Sequence, residues 1–250
     1  MAAGHLIIRF RRLAWWQKGL IALIGLVGAV GGGVVALRVY SRAQSDSNRY
    51  IVRWFSDPAS RADLITVQRA PCPGAPFLLP SDGLIGLLWG DPAAPYTLFR
   101  RHSGIDIFGD GAPGQVPVVA AYDGYLTRLP DWKASVIIRH DDPLQPGRTI
   151  WTYYTHMASR DGSVSFIAPA FPPGTRDVWV RQGTLLGYQG EYAGNSPAPI
   201  GMHLHFSIVK SGPDGSFKNE ARVGNTLDPS PYLGMPLAIA AKPARPIRCQ

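Results

Sequence analysis

Cysteine is scarce in this chain. Only Cys72 and Cys249 occur in 250 residues, and they lack the clustered spacing of a zinc knuckle. Charge is scarce too: Asp, Glu, Lys and Arg make up 17%, against about 25% in an average soluble domain. Acidic residues nearly vanish from the first 55 positions. These hold eight bases (Arg9, Arg11, Arg12, Lys18, Arg38, Arg42, Arg49 and Arg53) and one acid, Asp46. Almost all of the formal net charge of +8 therefore sits there, and the rest of the chain is close to neutral. A body without a basic surplus excludes a charged groove that tracks a phosphate backbone, so no nucleic-acid partner is expected. There is no fixed-period repeat, no Gly-x-Ser-x-Gly elbow and no phosphate-binding loop. Solenoids, propellers, elbow-type serine hydrolases and P-loop enzymes are set aside accordingly. Gly (28) and Pro (23) are abundant but aperiodic, and 46% of residues are hydrophobic. That balance excludes collagen-like repeats and wholesale disorder.

Charge is wholly missing from Gly19 to Leu37. At about 1.5 Å per residue this run reaches about 28 Å, close to the hydrocarbon thickness of a bilayer. Trp15 and Trp16 precede it and Tyr40 follows it, at the positions of the two interfaces. The reading is a cytoplasmic segment over 1–18, a single transmembrane helix over 19–37 and a juxtamembrane stalk over 38–70. A secretory signal cleaved near Ala43 is the alternative, since Ser41 and Ala43 are small, although the apolar run is long for one. Four bases lie on each side of the span, so charge does not set its orientation. The cysteines bear on it. A Cys72–Cys249 disulfide would tie the two ends of the body and place it outside the cytosol. Two unrelated buried thiols are the other reading. Oligomeric state stays open.

Beyond Pro71-Cys-Pro-Gly-Ala-Pro76, short apolar runs alternate with Gly, Pro, Asp and Asn. They include Pro117–Tyr122, Gly124–Leu129, Ser135–His140, Thr149–His156 and His203–Lys210. This density of short strands predicts a mainly β, antiparallel domain over 71–235. Pro58–Leu64 suits a short helix. Residues 158–179 read as a long loop, and 236–250 as an extended tail that brings Cys249 back to the body.

The histidines carry the chemistry. In His102-Ser-Gly-Ile-Asp106, an imidazole and a carboxylate four apart can share one ion. In His203-Leu-His205-Phe-Ser207, strand alternation points both imidazoles to one side and Leu204, Phe206 and Ile208 into the core. His156 ends the aromatic run Tyr153-Tyr-Thr-His. Each pattern alone is weak: a loop running into a strand, two solvated edge-strand histidines, a structural strand-end histidine. Together they supply three metal ligands and two spare imidazoles, the inventory of a catalytic zinc site. Spacing leaves open which of His203 and His205 is a ligand. His140 reads as a turn residue, and His5 needs no role.

Four segments, in order, resemble the M23 metallopeptidases of the LytM/lysostaphin type. They are His102-Ser-Gly-Ile-Asp106, the Gly124 and Val136–His140 region followed by Tyr154-Thr-His156, Val180–Gly190, and Gly201-Met-His-Leu-His-Phe206. The resemblance covers about residues 76–210, with Asn225–Leu233 an extension. It implies an antiparallel β-sheet groove (the duplicated hybrid motif) with a metal on its floor. It implies one Zn2+ per chain on His102, Asp106 and His205, with His156 and His203 as catalytic residues. It implies hydrolysis of peptide cross-links or stems in peptidoglycan by a membrane-anchored, extracytoplasmic endopeptidase. A catalytically silent scaffold or activator of other wall hydrolases is the alternative, and a peptidase directed at proteins is a third reading. Three features depart from the pattern. Ser207 stands where members of the family often carry Glu, and the loops at 158–179 and before His203 are longer.

Overall fold

The structure is a computed structural model, and it describes residues 14–194 and 200–250. His5, Arg9, Arg11, Arg12 and the Asn195–Pro199 part of the long turn lie outside the described residues, as do the side chains at the proposed cleavage point, Ser41–Ala43. The chain divides into two compact units, Met1–Gln44 and Ser45–Gln250.

In the first unit, α1 is a helix of 30 residues, Trp15–Gln44. Its Trp15–Leu37 portion has a mean hydropathy of 2.5 and no buried residue. An apolar helix of this length, free of charge from Gly19 to Leu37, can cross a membrane, because every backbone polar group is satisfied within it.

The second unit opens with α2 (Ser47–Ser56) and a 3-10 turn (Pro58–Asp63). The expected stalk over 38–70 is therefore not a separate element. Its first residues continue α1, and the remainder belongs to the folded body. The cause is the apolar face of α2: Trp54 is fully buried and packs with Leu64, Leu84 and Phe108. Burying a side chain of that size stabilises by about 2–3 kcal/mol, and Tyr50 and Ile51 of the same helix pack against that cluster too.

Ten short strands follow. They are β1 (Leu84–Ile85), β2 (Ile105–Phe108), β3 (Pro117–Val119), β4 (Gly124–Thr127), β5 (Val136–Asp141), β6 (Thr149–Thr155), β7 (Val178–Val180), β8 (Leu185–Tyr188), β9 (Leu204–Lys210) and β10 (Thr226–Leu227). The main sheet runs β1-β2-β9-β6-β5-β4-β7 with β10 also on β9, and β3 and β8 form a second sheet. All of these pairings are antiparallel, so the fold is mainly β and antiparallel. One face of β9 follows the alternation: Leu204, Phe206 and Ile208 enter the core with Ile105, Ile107, Leu126, Ile138 and Tyr154.

Two further segments complete the body. The 158–179 loop places Ile167, Ala168 and Phe171 in the core, and Arg128 ties it down by donating to the Phe171 carbonyl (2.9 Å) and to Ser165 Oγ (3.1 Å). The C-terminal stretch buries Leu237 and Ile247 and ends in the Cys72–Cys249 disulfide.

Candidate metal centre and adjoining cleft

Register builds the centre. In the β2–β9 ladder Asp106 lies opposite His205, and in the β6–β9 ladder Thr155 lies opposite the same His205. His156 follows Thr155 directly, and His102 lies three residues before β2. Two separated stretches of chain therefore converge on one point of β9. Close approach of β2 to β9 depends on Gly104, where a Cβ would stand 2.2 Å from the Phe206 carbonyl oxygen. Gly190 plays a similar part beside His156: a Cβ there would stand 2.4 Å from the His156 carbonyl oxygen.

Asp106 Oδ1 lies 3.1 Å from His102 Nε2 and 2.9 Å from His205 Nδ1, and the two nitrogens are 3.0 Å apart. All three residues are buried. The far nitrogens are committed elsewhere. His102 Nδ1 donates to the Leu88 carbonyl (3.0 Å), and His205 Nε2 donates to Ser207 Oγ (3.2 Å). Ser207 thus fills the role of orienting partner that a carboxylate would otherwise take. With those bonds made, the facing atoms are lone pairs and a carboxylate oxygen, and they need a cation among them. The three could hold a metal ion. A tetrahedral zinc ion with bonds of about 2.0–2.1 Å sets its ligand atoms about 3.3 Å apart, so the group fits with little adjustment.

Electrostatics tell the same story in terms of protons. Burial pushes the His102 imidazole down, but the charge and hydrogen bond of Asp106 outweigh it and the net shift is upward. Burial pushes the Asp106 carboxyl up, and His102, His203 and His205 together hold it well below the usual range.

The two remaining histidines flank this group. His156 has a φ of 75°, a conformation rare outside glycine that turns the chain sharply out of β6. Its Nδ1 donates to the Tyr192 carbonyl at 2.7 Å. His203 Nδ1 donates to the Gly201 carbonyl at 2.7 Å, and its Nε2 lies 3.8 Å from Asp106 Oδ1. The two rings are 4.5 Å apart between centroids. Phe108 stacks on His203 at 4.9 Å, and Phe55 of α2 meets Phe108 edge-on at 5.7 Å. Burial, aided by His203 and His205, pushes His156 down to about 3. Burial also lowers His203, against an opposing pull from Asp106.

A cleft of about 400 Å³ opens beside the group, and His156, His205, Tyr96, Tyr153, Arg100 and Glu220 are among its lining residues. Residues 158–179 take no part in the lining. Glu220 gave no signal in the sequence, because nothing in its spacing links it to the histidine motifs. The carbonyls of Leu88, Tyr192 and Gly201 were equally invisible, since a backbone acceptor leaves no mark in residue identity. His140 lies elsewhere. It is buried, donates from Nδ1 to the Asp123 carbonyl (2.7 Å) and accepts from Thr152 (2.8 Å). Burial pushes it down to about 4.

No family model matches the chain, and no curated protein matches it. Among solved structures it is similar to lysostaphin, an antimicrobial peptidase of Staphylococcus simulans. That match has 25% identity over 60% of this chain and 48% of that one, with a TM-score of 0.37. A variant catalytic domain of the prophage-encoded M23 protein EnpA from Enterococcus faecalis matches at 25% identity. It covers 62% of this chain and 97% of that one, with a TM-score of 0.34. A zinc-containing peptidase from Vibrio cholerae matches at 17% identity over 64% and 39%, with a TM-score of 0.33. The neighbours include M23, LytM and lysostaphin peptidases. The match spans about half the length of lysostaphin.

Proposed function

We propose that this chain is a zinc-dependent metallopeptidase that hydrolyses peptide bonds in peptidoglycan cross-links or stems. In this reading α1 holds it at the cell membrane, with the folded body on the extracytoplasmic side. The observation that carries the proposal is the convergence of His102 Nε2, Asp106 Oδ1 and His205 Nδ1 within about 3 Å of one another, with each imidazole oriented through its far nitrogen. The order of the histidine motifs, which resembles the M23 pattern, supports the peptidoglycan substrate. The disulfide supports the extracytoplasmic side, since such bonds persist outside the cytosol.

His102, Asp106 and His205 would hold one Zn2+, which when bound supplies Lewis acidity and brings the pKa of water towards about 7. The chain's own residues then handle the protons. His156 and His203 each spend Nδ1–H on a carbonyl, so Nε2 of each carries a free lone pair. Their depressed pKa values keep both neutral at pH 7. Either can accept a proton from the attacking water. The imidazole that has taken it becomes a donor, able to stabilise the tetrahedral oxyanion and return the proton to the leaving amine.

The test uses the full chain solubilised in detergent. Wild type should carry about one zinc per chain, lost in His205→Ala, and should release soluble fragments from purified peptidoglycan. A folded wild type that binds no zinc in excess Zn2+, or binds it and cleaves nothing, overturns the proposal. The mass of the chain recovered from membranes separates a retained anchor from cleavage near Ala43.

A further inference from the structure

The cleft holds an unexplained charge. Glu220 Oε2 is the one buried side-chain oxygen or nitrogen that lacks a hydrogen-bond partner among the described residues. Glu220 makes no ion pair there either, although Arg100 lines the same cleft. The segment that carries it is well anchored. Ser211 bridges Phe217, Phe217 packs on Trp151 and Tyr153, and Asn219 accepts a bond from Asn225 through its carbonyl at 2.8 Å. The backbone that carries the carboxyl group is thus held in place. A buried carboxylate oxygen without a donor is costly, and a natural fold keeps such groups rarely. The walls around it are aromatic: Tyr96, Tyr153 and Tyr192 line the cleft, and aromatic faces also attract cations. The zinc ligand His205 lines it too, so a molecule in this space lies beside the proposed reacting centre.

We propose that Glu220 determines specificity by pairing with a protonated primary amine on the substrate peptide, close to the bond that is cut. The proposal rests on the peptidase reading, because the peptide is what delivers the amine. An ammonium group suits the place. It offers donors to the unpartnered oxygen, its charge offsets the carboxylate, and the tyrosine rings accommodate its stem. A charge-assisted bond formed away from water is worth about ten- to a hundredfold in affinity. Two sources share this chemistry, a lysine-like side chain and a peptide N-terminus.

Binding separates this inference from catalysis. The zinc-loaded full chain in detergent is titrated with four probes. Two are an N-terminally blocked tetrapeptide with one lysine and its Nε-acetyl form. The others are tetraglycine with a free and with an acetylated N-terminus. One free-amine probe should bind about ten- to a hundredfold more tightly than its acetylated twin, and the responsive pair identifies the source of the amine. In Glu220→Gln, which keeps the shape and removes the charge, that ratio should fall to near one. Equal binding within both pairs overturns the proposal, as does failure of all four probes to bind. A preference retained in Glu220→Gln, or an equal loss of hydrolysis on both members of a pair, also overturns it. Amine-selective binding without hydrolysis would leave Glu220's role intact and sink the peptidase reading instead.

Discussion

His156 and His205 sit a few ångströms apart yet should fail differently when altered. His205→Ala removes a ligand atom, so zinc should be lost together with turnover. His156→Ala removes a ring whose Nδ1 is bound to Tyr192 and whose Nε2 is free. It should keep about one zinc per chain and lose about two to four orders of magnitude in turnover. Metal analysis beside a peptidoglycan assay checks both, and unimpaired hydrolysis by His156→Ala would remove that residue from the mechanism. His140 makes a separate prediction. Its folded pKa, about 4, lies below the ordinary 6.5 because burial disfavours the cation. The unfolded chain therefore binds the extra proton first. The stability from neutral His140 is present above pH 6.5 and drains away as pH falls towards 4, on the order of 3 kcal/mol in all. Thermal melts of wild type and His140→Gln at pH 7 and pH 5 should show wild type losing more. Much of the candidate site's membership was legible in residue identity: His102, Asp106, His156, His203 and His205 are sparse, polar and patterned, and the fold brings them together. Which ring nitrogen faces inward was not, because carbonyls such as Leu88 set it.

At the scale of elements, the strands were easy to read and α2 was not. Runs such as Val136-Ile-Ile and Thr149-Ile-Trp are rich in β-branched and aromatic residues, which suit a pleated sheet. The α2 segment has helical spacing too, with Tyr50, Ile51 and Trp54 on one side. Its Arg49 and Arg53, next to an apolar span, read as juxtamembrane charge. Only the partners Leu64, Leu84 and Phe108 reveal it as part of the body. The 158–179 stretch was seen as long and irregular, which holds up to Asp177, whereas Val178 and Trp179 belong to β7. That its Ile167 and Phe171 fill the core, rather than wall the cleft, depends on contacts far away in sequence. The β2–β9 pairing gives this scale its prediction. Gly104→Ala forces a methyl group against the Phe206 carbonyl, and the strands that align Asp106 with His205 must separate. Zinc content and melting temperature should fall together. A variant with full zinc content and unchanged melting would show that the ladder tolerates the methyl group.

For the molecule as a whole, the bond between Cys72 and Cys249 spans 177 positions and encloses every strand of the body. Arg176, in the loop before β7, is exposed and offers trypsin a cut inside that ring. Such a cut changes connectivity without releasing anything. Under denaturing but non-reducing electrophoresis, the nicked body should migrate as a single species joined through sulfur, and two bands should appear only after a reductant is added. Two bands before reduction would mean that the ring is not closed. A body that can be severed once and still stay in one piece is suited to places where stray proteases are common and replacement is slow.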